Sequence, residues 1–179
     1  MRLPGVAALG LACFVCGLMV QGTSGKSPKV TFNPDVYRDK DAKVAAISLL
    51  ETALKLAGDG SWERIAVGRA WYLGGDKAKG QQLFDEVTGG KEVGAGDWFR
   101  IARAYCEAGD WDKAQRAYDK ALAINVDDDS GMIEYGGFAN VNHDRAKAEE
   151  LFGKALAKNP DKFWHYVNAG GSYLGVRPR

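Results

Sequence analysis

The sequence predicts an all-α protein built as an α-solenoid of antiparallel helix pairs. Three observations carry that prediction. An apolar pattern with helical spacing returns every 34 residues. A second helical pattern falls in each interval between the returns. Short turns rich in Gly, Asn and Asp separate the two.

The elements follow in chain order. Residues 1–25 hold one basic residue, an apolar run from Gly5 to Val20 and then small polar residues. This is the layout of a signal peptide, with cleavage expected after Gly22 or Gly25. The run is short for a membrane span, so an uncleaved anchor is the alternative. Export to the periplasm or outside the cell is the expectation. Once the signal is removed, no membrane contact is expected. Residues 26–40 read as a linker and 41–179 as the helical domain. Cys13 and Cys16 belong to the leader, which leaves Cys106 without a disulfide partner. Without Arg2 the basic and acidic residues balance, so nothing in the net charge points to nucleic acid.

The recurring pattern begins with Ala46, Leu49, Leu50, Ala53 and Leu54. It returns as Gly80, Leu83, Phe84, Val87, Thr88, then as Ala114, Ala117, Tyr118, Ala121, Leu122, and finally as Ala148, Leu151, Phe152, Ala155, Leu156. Each set lies on one helical face. The intervening pattern reads Val67, Gly68, Trp71; Ile101, Ala102, Tyr105; Tyr135, Gly136, Ala139; and Ala169, Gly170, Tyr173. Small residues on both helices let a pair approach closely. The turns at 74–76, 108–110 and 142–144 end in Asp76, Asp110 and Asp144, each expected to cap the helix that follows. The acidic turn at 125–131 is expected to place Asp129 or Ser130 as a cap. Residues 41–57 read as a lone second helix and 162–175 as a lone first helix. The aromatic residues of that last helix are expected to wrap onto the preceding repeat, or else to dock on a partner.

These positions resemble the tetratricopeptide repeat. The unit from Ala95 carries the family pattern best, with Trp98, Ile101, Ala102, Tyr105, Ala114, Tyr118 and Ala121. The unit from Asp129 ends in the family's Pro at Pro160. The unit from Ser61 departs at Arg64 and Glu92. The unbroken spacing argues against the slightly longer Sel1-like repeat. The resemblance implies a right-handed solenoid with about three full units and a half unit at each end. It also implies a non-catalytic scaffold or adaptor that binds a protein or peptide on its concave face, with no cofactor. A structural, self-assembling role through the last helix is the alternative.

Placed on the family's groove positions, the candidate partner-binding residues are Trp62, Arg69, Tyr72, Phe99, Arg100, Arg103, Asn140 and Trp164. Arginine forks suit carboxylates and flat rings supply apolar contact, so a peptide with an acidic segment fits this face. The same arginines have a second reading, as partners of Glu107, Glu134 or the acidic turn. Ile65 and Ile133 stand where the family's carboxylate-clamp members carry polar groove residues, so that specialised function is not assigned.

Reactive constellations are weak. His143 reads as a turn residue and His165 as a surface or partly packed one, neither with metal-ligand spacing. The "SGKS" at 24–27 has Val20 where a phosphate loop needs glycine. The "NVDDDSG" at 125–131 has its glycine one place late for a calcium loop, and Gly136 where the bidentate Glu belongs. Cys106 reads as a small packing residue. No enzyme is expected.

Overall fold

The computed structural model describes residues 30–178, so the expected signal peptide lies outside the described residues. The described residues form eight α-helices and no strand. They are α1 (Ala42–Ala57), α2 (Ser61–Leu73), α3 (Lys77–Thr88), α4 (Ala95–Ala108), α5 (Trp111–Ile124), α6 (Asp129–Val141), α7 (Arg145–Lys158) and α8 (Phe163–Tyr173). None is long and apolar enough to cross a membrane. Three helix pairs, α2–α3, α4–α5 and α6–α7, form the full units, with α1 against α2 and α8 against α6. The register read from the sequence is the register of the fold.

Within each pair one contact repeats. The Phe84 ring of α3 rests on Gly68, and the Phe152 ring of α7 rests on Gly136. A Cβ on either glycine would stand 2.8 or 2.7 Å from ring carbon. Ala102 and Tyr118 hold the same register in the middle unit, and both are fully buried. Each small residue thus sets the depth to which the facing ring can sink. The main core grows from these contacts, with Tyr72, Phe84 and Tyr105 meeting edge to face and Tyr118 stacked on Tyr135 at 4.7 Å.

Capping follows expectation at two of the three hairpin turns. Asp76 accepts from the Lys79 N–H at 3.0 Å and Asp144 from the Lys147 N–H at 3.1 Å. Asp110 does not cap. Its carboxylate instead accepts from the Tyr72 hydroxyl at 2.6 Å and from Lys77 Nζ at 2.8 Å. A phenol and an ammonium outbid one backbone N–H, and together they hold the Asp110 carboxyl below its usual range. The acidic turn corrects another expectation. Asp128, not Asp129 or Ser130, caps α6 through the Gly131 N–H. Asp129 is left to receive Lys162 and Asn159.

The chain leaves each first helix through a left-handed residue at Gly75 (φ 100°), Gly109 (φ 75°) and His143 (φ 69°). The three positions are one repeat apart. Glycine adopts this conformation freely and histidine does not. His143 is solvent-exposed, so little else holds it there. His143→Gly is expected to stabilise the fold by about 1 kcal/mol. A thermal melt that rises by a few degrees bears this out, and an unchanged or lower melt refutes it.

Candidate functional site: a cleft on the concave face

The first helices α2, α4, α6 and α8 line the concave side. α2 lies along α4, and α6 lies along α8, but α4 and α6 scarcely approach at the backbone. The cause is one side chain. Ile65, Phe99, Ile133 and Val167 share a register, and only Phe99 is aromatic. Its ring presses on Gly131 of α6, where there is no Cβ to meet it. The space this leaves opens into a cleft of about 820 Å³.

The cleft has an apolar floor and a charged rim. Phe99, Ile133, Trp164, Val167 and Val176 supply the apolar surface, and Arg103, Lys162 and Arg177 the cations. Arg103 is forked onto Glu134, with Nε to Oε1 at 2.7 Å and a terminal nitrogen to Oε2 at 2.6 Å. Tyr118 adds its hydroxyl to the same carboxylate at 2.9 Å. The Glu134 hydrogen bond leads the causes that raise the Arg103 pKa. Lys162 is paired with Asp129 at 3.1 Å. Burial works against the Asp129 charge, yet Lys162, Asn159 and the Ser130 N–H outweigh it and hold the carboxyl low. Arg177 has no salt-bridge partner among the described residues. The segment after α8 forms one wall. Gly175 reverses the chain at φ 78°, the Val176 N–H donates to the Gly171 carbonyl, and Pro178 rests on Gly137 of α6.

The residues singled out from the sequence divide into three groups. Phe99, Arg103 and Trp164 line the cleft, with Trp164 67 % exposed. Trp62, Arg69 and Arg100 lie on the first half of the face and are largely engaged already. Arg100 lies 3.5 Å above the Trp62 ring, and Arg69 pairs with Glu107. The second reading of the arginines therefore holds for Arg69 and Arg103. Tyr72 and Asn140 are turned inward. Tyr72 is buried under α4 with its hydroxyl on Asp110, and Asn140 donates to Ser172 at 3.0 Å to tie α6 to α8. Tyr72 thus belongs to the core rather than to the exposed groove. Lys162, Val167 and Arg177 complete the cleft. Lys162 and Arg177 flank α8, and no groove register pointed to them.

Two reactive groups are enclosed. Cys106 is buried and free, and burial pushes its thiol up to about 12, so it is an inert packing residue at neutral pH. His165 corrects the surface assignment. It is buried, and neither ring nitrogen has a hydrogen-bond partner among the described residues; Asp129 is 3.8 Å away. Its register explains this, because Gly131 and Asp97, one and two repeats earlier, are also buried. Burial lowers its pKa, Asp129 works the other way, and Lys162 lowers it further. A folded-state pKa below the unfolded value of about 6.5 means the unfolded chain takes the proton first. Stability from neutral His165 is therefore present above that value and lost as pH falls below it. The melting temperature is expected to drop between about pH 7 and 5, and His165→Leu to flatten that slope. Equal slopes for both proteins refute the assignment. Among the described residues no group of three His, Cys, Asp or Glu side chains is placed to hold a metal.

A stack of helix pairs with a side-chain-lined cleft defines a helical-repeat fold. The family model described as tetratricopeptide repeat matches residues 95–128. These residues are α4, α5 and the turn that follows each of them. This stretch is similar to one tetratricopeptide repeat, and the helix pairs on either side share its register. The fold of the chain is also similar to that in the crystal structure of MamA. That likeness has a TM-score of 0.52 at 16% sequence identity and covers 74% of this chain and 77% of that one. No curated protein matches the chain. Repeats of this family typically serve as non-catalytic scaffolds for protein–protein interaction.

Proposed function

We propose that this protein is a non-catalytic adaptor of the cell envelope that holds an extended protein or peptide segment in the concave cleft. One observation carries the reading. The cleft combines a solvent-exposed Trp164 and the Phe99 ring with a rim of Arg103, Lys162 and Arg177. An exposed aromatic anchor such as Trp164 beside arginine is the usual centre of a binding patch, and the Phe99 ring forms the floor beneath it. Arg177, with no salt-bridge partner among the described residues, suits a partner segment bearing a carboxylate, while Arg103 and Lys162 are already paired with Glu134 and Asp129. The placement differs from the groove read from the sequence. It moves toward the second half of the face, where the cleft beside α8 opens.

Partner capture from envelope extract tests this. Trp164 makes little contact with the core, so Trp164→Ala leaves the fold intact. It is expected to weaken partner recovery at least about tenfold. Arg103→Glu is expected to weaken it as well and to reduce its salt dependence. Undiminished recovery by Trp164→Ala removes the cleft from consideration. The envelope assignment rests on the apolar leader. It is tested by mass spectrometry of the mature N-terminus, with a start just after Gly22 or Gly25 expected.

A further inference from the structure

Two exposed tryptophans stand at one register of the concave face. Trp62 is the second residue of α2 and Trp164 the second residue of α8, three repeats apart. The corresponding residues of α4 and α6 are Gly96 and Ser130. This register faces the groove, since Ser130 and Trp164 both line the cleft. Helix α2 is covered by α1 and by α4, yet Trp62 is 56 % exposed. Its exposure therefore belongs to the concave side and not to an end of the stack. The row runs large, small, small, large, a trough with an indole at either end. A Cβ on Gly96 would meet only the tip of Arg100, at 3.6 Å.

Each indole stands with an arginine that has no salt-bridge partner among the described residues. Arg177 shares the cleft with Trp164. The Arg100 guanidinium lies 3.5 Å above the Trp62 ring. Its one hydrogen bond among the described residues goes to the Gly96 carbonyl at 3.3 Å. A guanidinium stacked at this distance spends its flat face and keeps donors at its edge. The other two groove arginines of this half of the face, Arg69 and Arg103, are held by Glu107 and Glu134. Arg100 is thus the one left to fork onto a partner's carboxylate, with the Trp62 ring beside it for an apolar side chain.

The register also sets a length. Packed helices lie about 8–10 Å axis to axis, and the α4–α6 step is the widest, so three steps put the indoles about 30 Å apart. An extended chain rises about 3.3 Å per residue, so about nine residues bridge them. We infer that the two tryptophan–arginine pairs are the ends of one trough, which takes a single extended segment with two carboxylates about nine residues apart, each beside an apolar side chain. This rests on the adaptor reading and extends the bound segment beyond the cleft to α2.

Synthetic peptides with two Phe-Asp pairs are the probe. In one peptide a Gly-Ser spacer sets the pairs about nine residues apart. In the other the pairs are adjacent and the same spacer follows them. Composition and charge are equal, so only the spaced peptide reaches both ends. Titration of the full chain, followed by anisotropy of a fluorophore on the peptide, is expected to show the spaced peptide binding at least about tenfold more tightly, with a single peptide per chain. Trp62→Ala, Arg100→Gln and Trp164→Ala are each expected to abolish this difference. Both tryptophans are exposed, so alanine at either leaves the fold intact. Equal affinity of the two peptides, or binding of neither, overturns the inference. So does a difference that survives Trp62→Ala, or a pair of spaced peptides on each chain. The adaptor reading is judged by partner capture with Trp164→Ala, so the cleft stands if only the Trp62 end fails.

Discussion

Replacing Tyr118 with alanine is expected to cost about 4 kcal/mol and to split the unfolding transition in two. The ring is fully buried on α5, stacks on Tyr135 of α6 and lies against Phe99 of α4. Its hydroxyl joins Arg103 on Glu134. Since α4 and α6 hardly touch at the backbone, this group of side chains is the main link between the second and third units. Repeat stacks owe their cooperativity to such nearest-neighbour contacts. Loss of this one is expected to let the two halves melt separately in a urea titration followed by fluorescence and circular dichroism. One coincident transition at reduced stability would show that the link is spread over other residues.

Gly80→Val is the second large effect, and its cause is the opposite one. A Cβ on Gly80 would stand 2.6 Å from the Gly68 carbonyl oxygen and 2.7 Å from both the Tyr72 Cβ and its backbone nitrogen. Those are backbone and near-backbone atoms of α2, which cannot swing away. The α2–α3 pair must spread, and the Phe84 ring then loses its seat on Gly68. The cost is expected to be about 3 kcal/mol, near the upper end for overpacking. The second and third units carry alanine at this register, Ala114 and Ala148, both fully buried. Gly80→Ala is therefore expected to cost clearly less than valine. Chemical denaturation of the two variants checks the order, and equal stabilities would contradict it.

The helix register was readable because each unit repeats the same packing problem. Small residues at 68, 102 and 136 and rings at 84, 118 and 152 return in step, and one face per helix follows from them. The site was legible only in part. The arginines and aromatics of the first helices are recognisable, but the sequence leaves both a partner-binding and an ion-pairing reading of Arg69, Arg100 and Arg103 open. Only distance to Glu107 and Glu134 separates them. Tyr72 occupies a groove register, yet α4 lies over it and Asp110 takes its hydroxyl. That contact lies outside any single-repeat pattern. His165 did carry a signal, since the residues one and two repeats earlier face inward.

The cleft depends on a difference of side-chain size. Phe99 stands where the other units have Ile65, Ile133 and Val167, and its bulk holds α6 away from α4. A repeat pattern treats these four as equivalent apolar residues, so the opening is visible only once the helices are placed. The outward aromatics of α8 have a similar explanation. The helix packs on α6 through Ala169, Ser172 and His165, all buried, which leaves Trp164 and Tyr166 exposed. The expectation that its aromatics wrap onto the preceding repeat fails for these two, because the small side of the helix makes the contact.

Site-specific photo-crosslinking in living cells tests the concave cleft most directly as the partner site. A photoreactive phenylalanine analogue at Trp164 samples the cleft, and the same analogue at Lys120, exposed on α5, samples a second helix. The adaptor reading predicts a discrete crosslinked product from position 164 and none from position 120. A product from position 120 alone, or none from position 164, would contradict it.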